Sequence, residues 1–236
     1  MQELEQLCHG LRAVVFDFDG VILESGNIKT EAFLELFADW PEHREAVLAF
    51  HLANLGVSRY VKFRYVVEAL WQRPYTPQDE AELGAAFEGL VLDKVLRCPF
   101  VPGAAETLAA LHGWLPAFVA SGTPQTELDL IVNERGLRSS FREVWGTPCT
   151  KPDILWDIVA RYGWQPDEVL MVGDGLSDYQ AAQAVGTRFL ARLTPEQQAE
   201  WDKLDVVGVN DLLGLAQVLG VDTAVLNTDG VTTTTV

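Results

Sequence analysis

Residues 14–25 read "VVFDFDGVILES", a run of β-branched and aromatic residues that closes on two aspartates, Asp17 and Asp19, and a glycine. Aspartate and glycine are common turn residues, so the pair either stops a strand or is held at the strand end for chemistry. Working outward, four more short apolar runs follow: "PAFVAS" (116–121), "REVWG" (142–146), "VLMVGD" (169–174) and "TRFLAR" (187–192). Helical patterns separate them. Such alternation predicts an α/β fold, a Rossmann-like parallel sheet covered by helices on both faces.

The alternation fails between residues 28 and 97, which read as helices broken at Pro41, Gly56, Pro74 and Pro77. We read this block as an all-helical insertion. The expected organisation is a core domain of residues 1–23 and 102–220, a helical domain of residues 24–101 with hinges near Glu24 to Asn27 and Cys98 to Gly103, and a loose tail of residues 221–236.

The chain of 236 residues carries a formal charge of -17, which argues against a nucleic-acid or anionic-membrane surface, because such binding needs a basic patch. Any anionic substrate must therefore meet a local basic site or a metal. The three cysteines are widely spaced and form no C-x-x-C pair, which points to a reducing compartment. With no basic start leading into an apolar stretch at "MQELEQLCHG", the sequence predicts a cytoplasmic protein.

In open α/β sheets functional groups gather at the carboxyl ends of the strands. Here those ends carry Asp17 and Asp19, then Ser121 and Gly122, then Asp174 followed by Asp178, and Lys151 opens the helix after the third strand. Four carboxylates repel one another unless a cation is present, and hard oxygen ligands suit Mg²⁺. One aspartate beside a cation and a lysine can attack a phosphoryl group, and a second can protonate the leaving oxygen and later activate water. Residues two apart point the same way on a strand, so the spacing predicts that Asp17 and Asp19 address one substrate. Ser121, with backbone N–H groups at the turn into a helix, would hold phosphate oxygens. A dinucleotide site at Gly173 and Gly175 is rejected, since Asp178 takes the third glycine's place and would repel a pyrophosphate.

These residues lie in four ordered segments, "VVFDFDGVILES" (14–25), "VASGTP" (119–124), "KPD" (151–153) and "VGDGLSD" (172–178). Together they resemble the motifs of the haloacid dehalogenase superfamily in its phosphatase branch. The resemblance implies a Mg²⁺-dependent phosphatase acting on a small phosphorylated metabolite through an aspartyl-phosphate, working as a monomer or homodimer. It makes Asp17 the nucleophile and a metal ligand, and Asp19 the general acid/base, which also lends the metal its main-chain carbonyl. Ser121, Gly122 and Lys151 become phosphate and charge-balancing residues, and Asp174 and Asp178 belong to the metal site. The helical insertion resembles the family's cap. Dehalogenases proper and phosphonate hydrolases of the family lack the second aspartate, so Asp19 points to phosphoryl transfer.

Within the insertion, Arg59, Lys62, Arg64 and Arg73 form a positive island with no acid among them until Glu68. "GVSR" (56–59) resembles the cap loop of β-phosphoglucomutase, which implies that Arg59 reads a distal phosphate or carboxylate; Lys29 is a second candidate for substrate contact. That likeness also keeps an intramolecular phosphotransferase as the alternative, although "GDGLSD" is similar to the phosphatases. A receiver-like signalling module is a more remote reading, since Asp19 would hasten loss of a stored phosphoryl group.

Overall fold

The computed structural model describes residues 1–195 and 197–219; the tail expected at residues 221–236 lies outside them. Six parallel strands form one sheet: β1 (Ala13–Phe16), β2 (Ala117–Pro124), β3 (Glu143–Thr147), β4 (Val169–Gly173), β5 (Arg188–Arg192) and β6 (Gly208–Val209). Their order is β3-β2-β1-β4-β5-β6, so β1 is central and both halves of the chain place their next strand beside it. The five expected strands are all present, and the two-residue β6 is an addition too short to leave a pattern in sequence.

Parallel strands buried on both faces read as continuous apolar runs, and all four residues of β1 are buried. Alternate residues serve opposite cores. Val14 and Phe16 pack with Val119, Leu170 and Val172 on one side, while Ala13 and Val15 pack with Phe118, Met171, Ile154 and Leu155 on the other.

The helices in chain order are α1 (Gln2–Cys8), α2 (Gly26–Leu36), α3 (Arg44–Ala53), α4 (Arg59–Tyr65), α5 (Pro77–Arg97), α6 (Ala104–Leu111), α7 (Gln125–Glu134), α8 (Lys151–Tyr162), α9 (Leu176–Val185), α10 (Gln198–Trp201) and α11 (Leu213–Val218). Between β1 and β2 stand α2 to α6, with a π-helical turn at Val66–Leu70 continuing α4. Phe33, Phe63 and Phe87 from α2, α4 and α5 pack ring against ring, with centroids 4.7–5.9 Å apart, and form an apolar centre for this helical layer. Its entry and exit segments run side by side: the Glu24 N–H donates to Pro99 O at 3.0 Å and the Val101 N–H to Ile22 O at 3.0 Å.

The helical layer lies over the carboxyl end of the sheet. Ser177 Oγ donates to Leu55 O at 2.8 Å and Gln197 Nε2 to Leu52 O at 2.9 Å. Gly122 is required here, because a Cβ would stand 2.6 Å from Gly56 O of the loop above it.

Candidate active site

β1 ends at Phe16, one residue before Asp17. The expectation that both aspartates extend from a strand therefore needs correction: Asp17 follows the strand directly, whereas Asp19 lies beyond it and is turned back by a loop. The Asp17 N–H still donates to Val172 O of β4 at 2.8 Å, which fixes its place above the sheet. Asp19 bridges to Leu23, and the Gly20 N–H donates to Leu23 O at 2.8 Å. Gly20 makes this loop possible; its φ is +77°, and a Cβ would meet Asp174 Oδ2 at 2.1 Å.

Asp17, Asp174 and Asp178 converge, with carboxylate oxygens within 4.8 Å of one another, and all three are buried. Lys151, the first residue of α8, reaches between two of them: its Nζ donates to Asp178 Oδ1 at 2.5 Å and stands 3.0 Å from Asp17 Oδ2. Asp178 also accepts the Gly175 N–H at 3.1 Å, which caps the start of α9. Three buried carboxylates thus face one ammonium. Burial raises the Asp17 carboxyl to about 7 against the pull of Lys151, and Asp178 and Asp19 push the same way. Burial, followed by Asp17 and Asp178, raises Asp174 well above the carboxylate range. Burial alone would lower the Lys151 ammonium, but its two aspartates reverse this and hold it above its ordinary value. The unbalanced negative charge and the all-oxygen donor set fit a hard cation.

Asp19 does not add its carboxylate to that cluster. Ser25 Oγ donates to its Oδ1 at 2.6 Å, Thr123 Oγ1 donates to its Oδ2 at 2.8 Å, and Lys29 Nζ pairs with Oδ2. Lys29 also donates to Thr123 Oγ1 at 2.7 Å. Burial would raise the Asp19 carboxyl, but Lys29 and these hydrogen bonds hold it below the usual range. Lys29 is therefore at the site, in contact with Asp19. Ser25 and Thr123 did not stand out in the sequence, although one closes the opening stretch and the other lies two positions beyond Ser121.

Ser121 is buried, and the Thr123 N–H donates to its Oγ at 3.1 Å. Pairing of β2 with β3 shifts register between Ala120 and Pro124, so Ser121, Gly122 and Thr123 occupy an irregular stretch just before α7. Gly122 and Thr123 line a small cavity of about 60 Å³ together with Asp17, Asp19, Asp174 and Lys29. Its roof comes from the helical layer, including Phe33, His51, Arg59 and Lys62.

Arg59 reaches the cavity wall, but its Nη2 donates to Glu127 Oε1 of α7 at 2.7 Å, and its guanidinium lies 4.6 Å from the centre of the Phe87 ring. The folded chain also sets acids against two more members of the positive island. Arg64 lies 3.6 Å from Glu68 and Arg73 lies 2.5 Å from Asp79. Lys62 alone among the four has no ion-pair partner among the described residues; its Nζ lies 3.3 Å from His51 Nδ1.

The model of the haloacid dehalogenase-like hydrolases matches residues 11–186. The chain is 28% identical over 186 residues to a phosphoglycolate phosphatase of Synechococcus elongatus, covering 75% of this chain and 81% of that relative. It is 26% identical over 190 residues to phosphoglycolate phosphatase 1 of Pseudomonas aeruginosa, covering 76% and 68%. Among solved structures, CbbY of Rhodobacter sphaeroides in complex with xylulose-1,5-bisphosphate superposes with a TM-score of 0.66 at 19% identity, covering 87% of this chain and 96% of that one. The match runs from the residues just before β1 to the end of α9 and takes in every motif that supplies the carboxylates and the lysine; this chain belongs to the haloacid dehalogenase-like hydrolases.

Proposed function

We propose that the protein is a Mg²⁺-dependent phosphatase that hydrolyses a small phosphorylated metabolite through an aspartyl-phosphate on Asp17. The observation that carries this reading is the buried Asp17 carboxylate, which stands 3.0 Å from the Lys151 ammonium within the three-aspartate cluster and opens on the cavity that Asp19 also lines. Asp17 and Asp174 would hold the metal with Asp178 in support, and Asp19 would add its main-chain carbonyl. When bound, Mg²⁺ offsets the charge of the carboxylates and of the phosphoryl group.

An Asp17 carboxylate oxygen attacks phosphorus, and the ester P–O bond breaks as the new O–P bond forms. Asp19 in its acid form gives its proton to the departing alkoxide oxygen. As a carboxylate, it then takes a proton from the water that attacks the aspartyl-phosphate, releasing inorganic phosphate and restoring Asp17. Lys29 favours the carboxylate form of Asp19 and so prepares the second half of the cycle. Ser121 and Gly122 hold phosphate oxygens at the start of α7, and Lys151 balances charge on the nucleophile. The helices over the cavity act as a cap that excludes water and selects the substrate.

The two curated relatives support a small phosphorylated acid as substrate, because each is named a phosphoglycolate phosphatase. Incubation with 2-phosphoglycolate and Mg²⁺ should release inorganic phosphate, and excess chelator should stop the release. A screen of phosphomonoesters in which none yields phosphate, or in which a sugar phosphate is isomerised without phosphate release, would refute the proposal.

A further inference from the structure

We infer that Lys62, oriented by His51 and Thr30, is the residue that reads a second anionic group on the substrate, while Arg59 serves as a tie between the helical layer and the core. The inference rests on the phosphatase reading for the place of the reacting phosphate and adds to it the residue that selects a substrate with a carboxylate or a second phosphate close to the ester.

A buried ammonium without a carboxylate partner is costly, because it gives up its hydration with no opposite charge in return. Lys62 is only 5% exposed, lines the same cavity as Asp17 and Asp19, and has no ion-pair partner among the described residues. The ring of Phe33 lies 5.3 Å from its Nζ, a contact far weaker than a full opposite charge. Burial, then Lys29 and Lys151, push the ammonium down to about 7, with only Asp174 and Asp19 pulling the other way. An anion in the cavity would reverse that balance.

The ammonium is also aimed. Thr30 Oγ1 donates to Gly26 O at 3.2 Å, which leaves its lone pairs for the His51 Nε2–H at 3.0 Å. His51 Nδ1 is then the acceptor facing Lys62 Nζ at 3.3 Å. Burial, followed by Lys62 and Lys29, pushes His51 down to about 2, so the ring is the neutral acceptor this arrangement needs. The order Gly26–Thr30–His51–Lys62 links α2, α3 and α4 and leaves the other two ammonium protons of Lys62 for a ligand. Arg59 differs in that its charge is already met by Glu127.

The test compares two probes that differ only in the distal group, 2-phosphoglycolate and ethyl phosphate, by calorimetry on Asp17→Asn protein, which binds without turning over. In that background 2-phosphoglycolate should bind roughly 10- to 100-fold tighter, the value of one hydrogen-bonded charge contact. Adding Lys62→Met should bring the two probes within about threefold, whereas Lys62→Arg should keep a preference and Arg59→Met should leave it intact. Thermal unfolding confirms that each variant is folded, and Lys62→Gln, which also removes the charge and should also bring the two probes together, serves if Lys62→Met is not. A preference that is missing in the Asp17→Asn background, survives Lys62→Met, or vanishes with Arg59→Met would overturn the inference. Phosphate release by the wild type is measured separately. Lys62-dependent binding without turnover of any ester would sink the phosphatase reading alone, and turnover without a binding preference would sink this inference alone.

Discussion

Asp17 and Asp19 stand two positions apart yet meet different neighbours, and their difference follows from those neighbours. Asp17 faces Lys151 and two other buried carboxylates; Asp19 faces Lys29, Ser25 and Thr123. The Phe18 N–H donates to Asp17 Oδ1 at 2.7 Å, so Asp17→Asn keeps the shape and a side-chain oxygen for that contact but removes the nucleophile. Turnover should fall by at least about a thousandfold, while the unfolding temperature is kept or raised. Retention of a sizeable fraction of the rate would assign the attack to another group. Lys29→Met removes the cation that holds Asp19 below the carboxylate range. The Asp19 pKa should rise, and the limb of the pH–rate profile that Asp19 governs should move to higher pH; an unchanged profile would mean that Lys29 does not tune this acid. At this scale the sequence displayed the aspartates and Lys151, because strand ends in a parallel sheet gather functional groups. It could not display partners such as Glu127, which lies 68 positions from Arg59 and meets it only through the fold.

At the scale of elements, α4 and α7 are joined by the Arg59–Glu127 pair, and Glu127 keeps one buried oxygen with no hydrogen-bond partner. Removing one member of a buried pair strands the other charge, at a typical cost of about 3–5 kcal/mol. Glu127→Gln should therefore destabilise the protein by up to about that amount, and hydrogen exchange should quicken at Leu55 to Val57, where the helical layer rests on the core. The Arg59→Met, Glu127→Leu double variant should recover most of the loss. Additive losses in the double variant would deny the coupling. Strands and helices were legible in outline because their apolar periodicities differ. The limits were less so: β1 stops before Asp17, β2 runs on to Pro124, and the positive island of the sequence dissolves once Glu127 of a distant helix closes on Arg59 and the nearby Glu68 and Asp79 close on Arg64 and Arg73.

Across the whole molecule, an acidic chain of net charge -17 sets two of its lysines, Lys29 and Lys62, at one cavity under its helical layer, beside the carboxylates of Asp17, Asp19 and Asp174. The burial of Lys62, reinforced by Lys29 and Lys151, leaves a mark on stability. The Lys62 ammonium titrates near 7 in the folded protein and at its ordinary 10.5 when unfolded. Between these values the unfolded chain binds more protons, so this residue makes the protein more stable as pH rises from about 7 to about 10. Relative to Lys62→Met, the wild type should gain stability across that window in chemical denaturation; parallel curves would show that Lys62 keeps its ordinary affinity for the proton. The central claim, covalent phosphoryl transfer to the aspartate after β1, is tested most directly by acid-quenching the enzyme during turnover of a phosphorus-labelled phosphomonoester and mapping the labelled peptide. The account predicts label on Asp17 and none in the Asp17→Asn variant. Phosphate release with no label on the protein, or with label on a different residue, would contradict it.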